Sequence, residues 1–384
     1  MGFEFATATR IIFGSGTVQE VAPRAADIGH RAFVVTGRSV ERAAPLLEKL
    51  NKQAIECVTF NVPGEPTTAL AFEGVQQARQ AECALVIGIG GGSVLDTGKV
   101  IAALLTNSGD LVDYLEVIGG GQQLAKAPAP YIAIPTTAGT GTEVTRNAVL
   151  ASPEHGVKVS MRSPLMLPLL AVVDPALTHS MPPAVTASTG LDAITQLMEA
   201  FVSHKANPLT DGICREGLRR ASHSLRRAYE DGSNKAARED MSLASLFGGL
   251  ALANAKLGAV HGFAGPLGGM FSAPHGVICA RLAPYVMEAN VQALQARTPG
   301  SPALARYDEV AQILTGMATA RAADGIAWLQ DICAALKVPS LVEFGLKEAD
   351  LATVVANSEK ASSMKGNPIA LTGRELTEIL RKAI

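Results

Sequence analysis

Residues 84–99 read Ala-Leu-Val-Ile-Gly-Ile-Gly-Gly-Gly-Ser-Val-Leu-Asp-Thr-Gly-Lys. A buried apolar strand, Ala84 to Ile89, runs through Gly90, Gly91, Gly92 and Ser93 into a helix that carries Asp96 and Lys99. Glycines let backbone N–H groups approach an anion closely, and a helix N-terminus adds a favourable dipole, so a diphosphate is the natural guest. The plainer alternative is a tight βα turn with no ligand. Three successive glycines and a serine after a buried strand favour the phosphate cradle. Two standard patterns fail here. Gly88-x-Gly90 lacks the third glycine of the dinucleotide fingerprint, because Ser93 stands in its place, and after Gly98-Lys99 a Walker loop would need a hydroxyl residue where Val100 sits.

Outward from this loop, strand and helix signals alternate. Arg10 to Phe13, Ala32 to Val35, Ala54 to Phe60, Tyr131 to Ile134 and Leu170 to Val173 read as strands. Val18 to Ala26, Val40 to Leu50 and Thr67 to Gln80 read as helices. Such alternation implies βαβ units on a parallel sheet. Ser152 to Gly156 reads as a polar loop, and Phe3 to Phe13 as an edge strand able to pair across a dimer. Beyond Pro182-Pro183 only helical periodicity remains: Ala184 to Ser203, Pro208 to Glu230, Lys235 to Leu257, Pro284 to Gln295, Tyr307 to Ala318, Ala322 to Leu336, Lys347 to Ser358 and Thr372 to Ile384. With 384 residues, two cores are expected. We read residues 1–182 as an α/β domain and 183–384 as an all-helical domain.

Two further loops follow strands. Pro135-Thr136-Thr137-Ala138-Gly139-Thr140-Gly141-Thr142-Glu143 offers hydroxyls and glycine amides at a strand's carboxyl end, where open parallel sheets bind ligands. Thr142 is alternatively an N-cap for a helix through Val144. The strand ending at Val35 leads into Thr36-Gly37-Arg38-Ser39. An acid there would bind a nicotinamide dinucleotide's ribose hydroxyl, whereas Gly37 with Arg38 and Ser39 accommodates a 2′-phosphate, favouring NADP over NAD.

The stretch Gly258 to Gly276 holds two of the seven histidines, His261 and His275. A helix turning at Gly258, loosened by glycine and stopping at Pro274-His275-Gly276, would aim both imidazoles at one point suited to a metal. Asp192 and Gln196, at i and i+4, share a helix face and add oxygen ligands.

The net charge of −2 favours neither nucleic acid nor an anionic membrane. Five scattered cysteines, with no Cys-x-x-Cys pair, suggest reduced thiols in a cytoplasmic protein rather than disulfides or a zinc knuckle. Met1-Gly2-Phe3-Glu4-Phe5 does not read as a signal peptide, Ala6 argues against myristoylation, and no apolar run is long enough to span a membrane.

Together these motifs resemble the iron-containing (group III) alcohol dehydrogenases, within the dehydroquinate-synthase-like fold. The resemblance spans nearly the whole chain, through Thr36-Gly37-Arg38, Gly90 to Ser93 with Asp96 and Lys99, Pro135 to Thr140, Lys158, Val172-Val173-Asp174-Pro175, Gly190-Leu191-Asp192-Ala193, Ala259-Val260-His261, Pro274-His275-Gly276 and Asn367-Pro368. It implies that residues 1–182 are an α/β dinucleotide-binding domain for NAD(P), that 183–384 are an all-helical metal- and substrate-binding domain, and that a divalent metal, Fe(II) or Zn(II), lies in a cleft between them. The implied cofactor positions are Gly37, Arg38, Ser39, Gly90, Gly91, Gly92, Ser93, Asp96, Thr136, Thr137, Thr140, Lys158 and Leu177. Asp192, position 196, His261 and His275 would ligate the metal, and Asp192, His261 and His275 are the implied catalytic residues. Position 196 is Gln where the family has His, an exchange that weakens binding of iron or zinc. Gly265 stands where relatives often place another histidine.

The activity implied is hydride transfer between nicotinamide and a small alcohol or aldehyde polarised by the metal. Two alternatives stay open: a metal-independent reductase of the maleylacetate reductase type, and a dehydroquinate-synthase-like lyase. A lyase acting on a phosphate substrate would call for more basic residues than Lys158 and Arg162. A homodimer or higher homo-oligomer is the base-rate expectation.

Overall fold

Strong alternation in the N-terminal strands sends side chains to two different cores. A computed structural model describes residues 2–384. The strands are β1 (Arg10–Phe13), β2 (Arg31–Gly37), β3 (Glu56–Val62), β4 (Leu85–Gly90), β5 (Tyr131–Pro135), β6 (Asn147–Ser152), β7 (Val157–Arg162) and β8 (Leu170–Val173). Six form one parallel sheet in the order β1-β8-β5-β4-β2-β3. On β2, Phe33 and Val35 pack with the Thr68–Gln80 and Gly92–Thr106 helices, while Ala32 and Val34 pack with Val21–Ala26 and Ala44–Lys52. Helices thus cover both faces, which is why these strands read as continuous apolar runs.

The chain forms β2 and β3, then returns to the other side of β2 with β4. That reversal is a topological switch point, and ligands of open α/β sheets bind outside the strands' carboxyl ends there. Gly37 ends β2 and Gly90 ends β4.

Two compact units result: Thr7–Thr137 with Gly141–Thr178, and residues 2–6 with Ala138–Thr140 and His179–Ile384. The second is helical: Pro183–Val202, Pro208–Glu230, Lys235–Ala255, Ala259–Met270, His275–Arg297, Pro302–Thr315, Ala322–Ala335, Leu351–Ser358 and Gly373–Ala383, with short 3₁₀ turns. Among the described residues no single helix is long and apolar enough to cross a membrane.

The polar loop at residues 152–156 connects an antiparallel hairpin, β6 with β7, whose strands alternate in burial. Other local readings need correction. The helix expected after Thr142 is a three-residue 3₁₀ turn, Thr142–Val144, because Gly141 takes a left-handed φ of 60° and the Thr142 hydroxyl donates to Asp96 Oδ1. The edge strand covers Arg10–Phe13 and pairs with β8, not the full span from Phe3. In the helical unit, Ala259–Met270 is one helix despite Pro266, and His275 begins the next helix instead of ending one. That next helix runs through Pro284, which cannot donate to the Ala280 carbonyl; the Cys333 thiol does so instead, at 3.3 Å.

Candidate metal centre and phosphate cradle

The Pro183–Val202 helix has its only charged and amide side chains in a row at Asp192, Gln196 and Glu199, spaced i, i+4, i+7 on one face. All three are buried, with relative exposures of 1%, 2% and 4%. Glu199 organises the start of the Ala259–Met270 helix. Its carboxylate accepts from Val260 N at 2.7 Å and from His261 Nδ1 at 2.7 Å, while Asn367 Oδ1 accepts from Ala259 N at 3.1 Å. These acceptors satisfy the orphan amides at the start of Ala259–Met270. They need Gly258, where an added Cβ would lie 2.8 Å from Asn367 Oδ1 and 2.9 Å from Glu199 Oε1. Because a carboxylate only accepts, His261 Nδ1 carries a proton, so in the neutral, metal-ligating imidazole Nε2 has the lone pair.

That lone pair faces Asp192. His261 Nε2 lies 3.3 Å and His275 Nε2 3.6 Å from Asp192 Oδ1, yet the oxygen has no hydrogen-bond partner. The approaches are electrostatic contacts without hydrogen-bond alignment. His275 arrives through a close helix crossing: an added Cβ at Gly276 would sit 2.3 Å from the Ser188 carbonyl oxygen, one turn before Asp192. Cys279, one turn after His275 and fully buried, places Sγ 3.7 Å from His261 Nε2 and 3.6 Å from His275 Nε2. Ligand atoms of Asp192, His261, His275 and Cys279 all lie within 4.8 Å of one another.

The electrostatics of this cluster call for a cation. Burial opposes the Asp192 charge, but His275 and His261 outweigh it and hold the carboxyl below its ordinary pKa. Burial likewise opposes protonation of His261, yet Cys279, Asp192 and Glu199 raise its pKa well above the imidazole range. Burial pushes the Cys279 thiol up to about 12. Acceptors from three helices converge, one carboxylate oxygen is unserved, and the donor set of O, N and S atoms suits a divalent transition ion. The residues therefore fit the metal.

Gln196 is turned differently. Its Nε2 donates to Asp192 Oδ2 at 3.2 Å, and its Oε1, buried without a partner, lies on the Gly248 side, 2.8 Å from where a Cβ there would be. The reverse amide orientation would set two oxygens against each other. At Gly265 an added Cβ would meet nothing within 4 Å.

In the sheet unit, Gly91 is the N-cap of Gly92–Thr106 and has no capping side chain, which leaves the first amides of that helix for a ligand. Gly90, Gly91, Gly92 and Ser93 gather at the sheet's carboxyl edge with Gly37 and the exposed Arg38 and Ser39 after β2, and with Thr136 and Thr137 after β5. Thr136 N donates to Gly90 O at 2.9 Å. Arg38 Nε donates to Pro63 O at 3.2 Å. Leu177 follows β8, packed on the core beneath the sheet.

Asp96 and Lys99 face inward. Asp96 accepts from Thr142 Oγ1 at 2.5 Å and Val149 N at 2.9 Å, and buried Lys99 donates to Thr142 Oγ1, Thr145 Oγ1 and Asn147 O at 2.7–2.8 Å. They tie the helix to the hairpin. Burial lowers the Lys99 pKa to about 8 and raises that of nearby Glu143 to about 7. Lys158, on β7, pairs with Glu65 at 2.9 Å. Thr140 falls in the short Ala138–Thr140 segment that clusters with the helical unit.

Sequence reasoning missed Glu199 and Cys279. Both carried a signal: Glu199 extends the Asp192–Gln196 row by one turn, and Cys279 stands at i+4 from His275.

The chain matches two family descriptions, "Iron-containing alcohol dehydrogenase" over residues 8–175 and "Fe-containing alcohol dehydrogenase family, C-terminal" over residues 186–384. It is 33% identical over 377 residues to alcohol dehydrogenase 4 of Saccharomyces cerevisiae, covering 97% of this chain and 96% of that one. To 1,3-propanediol dehydrogenase of Klebsiella pneumoniae it is 34% identical over 394 residues, covering 99% and 98%. The crystal structure of a 1,3-propanediol oxidoreductase matches with a TM-score of 0.91 at 33% identity, covering 100% of both chains.

Proposed function

The chain belongs to the iron-containing alcohol dehydrogenase family, and on that premise we propose that Asp192, His261 and His275 hold its divalent cation beside a small alcohol or carbonyl substrate. It is an NAD(P)-dependent oxidoreductase acting on CH–OH groups, with a metal at its site. The observation that carries the residue assignment is the buried, unpartnered Asp192 Oδ1 facing two imidazole nitrogens.

A bound divalent cation supplies Lewis-acid polarisation of an alcohol or carbonyl oxygen, and nicotinamide supplies the hydride chemistry. The protein's own work is positional. Glu199 holds the His261 proton at Nδ1, Gln196 orients the Asp192 carboxylate, and His275, with its side chain 37% exposed, lines the open side. In the sheet unit, Gly90, Gly91, Gly92 and Ser93 bind the cofactor diphosphate through backbone amides. Gly37, Arg38 and Ser39 receive the adenosine ribose, with NADP favoured over NAD because no acid ends β2 and an exposed guanidinium follows it. The enzyme acts in the cytoplasm as a homodimer or higher homo-oligomer, a reading supported by its five free thiols and by the commonness of symmetric dimers.

The test is elemental analysis of the purified protein, with reduced-nicotinamide absorbance followed across short alcohols and aldehydes, NADH against NADPH. His261→Ala should lose the metal. Metal content unchanged in that variant refutes the ligand assignment, and full activity after exhaustive chelation points to a metal-independent reductase.

A further inference from the structure

We propose that the fourth protein ligand is the Cys279 thiolate, so that the cation is held by Asp192 Oδ1, His261 Nε2, His275 Nε2 and Cys279 Sγ, while Gln196 only orients Asp192. The proposal rests on the metal-assisted reading above and changes the donor set within it.

Geometry carries it. A tetrahedral cation with metal–sulfur bonds of about 2.3 Å and metal–nitrogen or metal–oxygen bonds of about 2.0–2.1 Å sets sulfur–nitrogen edges of roughly 3.5 Å and nitrogen–oxygen edges of roughly 3.3 Å. Here the two sulfur–nitrogen edges are 3.7 and 3.6 Å, and the two nitrogen–oxygen edges are 3.3 and 3.6 Å. Four of the six edges thus match a single coordination tetrahedron, and the other two, nitrogen to nitrogen and oxygen to sulfur, are no longer than 4.8 Å.

Hydrogen bonding serves only part of the arrangement. The sulfur can donate its one proton to one imidazole nitrogen and accept weakly from the other, but the buried Asp192 Oδ1 beside both histidines is left unserved. Gln196 cannot fill the vertex as placed, since its amide nitrogen, which has no lone pair to give, faces the carboxylate, while Gly248 makes room for its oxygen elsewhere. Sequence shows the same compensation: the ligand missing at position 196 is replaced one helical turn after His275.

Coordination exchanges the thiol proton for the cation: Cys–SH and M²⁺ give Cys–S–M⁺ and a proton released to solvent. Carboxylate and thiolate together then neutralise the divalent charge. A soft sulfur donor also shifts preference toward zinc, iron or cobalt and away from magnesium or manganese.

The experiment uses full-length protein stripped of metal and reconstituted with one equivalent of cobalt(II) under a thiol-free reductant. Wild type should bind one cobalt per chain and show the near-ultraviolet thiolate-to-cobalt charge-transfer band. Cys279→Ser should lose the band and at least about tenfold in cobalt affinity against a competing chelator, since loss of even an orienting partner costs about 10–100-fold. Gln196→Ala should keep the band. One bound cobalt without the band in wild type overturns the thiolate ligand and leaves the metal reading standing. No bound cobalt overturns both. A band that persists in Cys279→Ser, or binding that fails in Gln196→Ala while Cys279→Ser is unaffected, also overturns the assignment. The wild-type spectrum decides the matter even if a variant misfolds.

Discussion

The proposed phosphate cradle and the proposed metal centre are built from different materials. The cradle is a continuous piece of chain, Gly90 to Ser93, whose candidate donors are backbone amides at the start of one helix. The metal centre has no continuous segment: Asp192, His261, His275 and Cys279 come from three helices, and each position depends on a contact elsewhere. Glu199 and Asn367 fix the start of the His261 helix, and Gly276 lets the His275 helix press onto Ser188. A site made of backbone is as robust as its local conformation, whereas one made of converging side chains is only as good as the packing of its helices.

The strongest test of that contrast removes a ligand. Asp192→Asn or His261→Ala should abolish metal retention and lower kcat/KM by at least about 100-fold, while nucleotide binding measured by fluorescence titration stays near wild type. Loss of nucleotide binding as well would break the separation between the two sites. Glu199→Gln comes next. It touches no cation, but it weakens the bond that sets the His261 tautomer, so metal affinity should fall about 10–100-fold by chelator competition.

Paired glycine substitutions sharpen the comparison further. Gly276→Ala drives a Cβ against backbone at 2.3 Å and should cost about 1–3 kcal/mol in denaturant unfolding, along with metal affinity. Gly91→Ala meets only the Thr137 side chain, at 3.4 Å, so it should leave stability near wild type and raise KM for the nucleotide. If Gly91→Ala unfolds the protein instead, the loop is structural and the cradle reading fails.

The sheet unit also holds buried charge that serves packing. The Glu143 pKa is raised from 4.5 to about 7, so the folded state binds an extra proton between those values. Its contribution to stability therefore falls as pH rises through that window, and Glu143→Gln should gain on wild type as pH rises from 4.5 to 7, on the order of 1–3 kcal/mol. Thermal unfolding at several pH values gives the slope; an unchanged slope would mean the carboxyl does not titrate there. The smallest expected effect is at Gly265, in a helix interior with open space beside it. Gly265→Ala should stabilise by about 0.5–1 kcal/mol without altering metal content.

Legibility followed the same division. The parallel strands were readable because β2, β4 and β5 are buried on both faces and so form apolar runs, and the glycine loop because it is contiguous. The β6–β7 hairpin was not, since Pro153–Glu154–His155 before a left-handed Gly156 looks like any polar loop until its strands are seen to pair. Asn367 was noticed but not understood: its part in capping the His261 helix from 108 residues away is a fact of packing.

By itself, the sequence determined the fold class, the glycine turn after β4, and the candidacy of Asp192, His261 and His275, because these rest on local periodicity, backbone freedom and residue chemistry. Only the tertiary structure decided which atoms meet. It turned the Gln196 amide nitrogen toward Asp192, engaged Asp96 and Lys99 within the sheet unit, and set Cys279 beside both histidines. The reason is physical: a helix specifies which residues share a face, but the crossing of helices, fixed here by close packing at Gly258 and Gly276, decides what that face confronts.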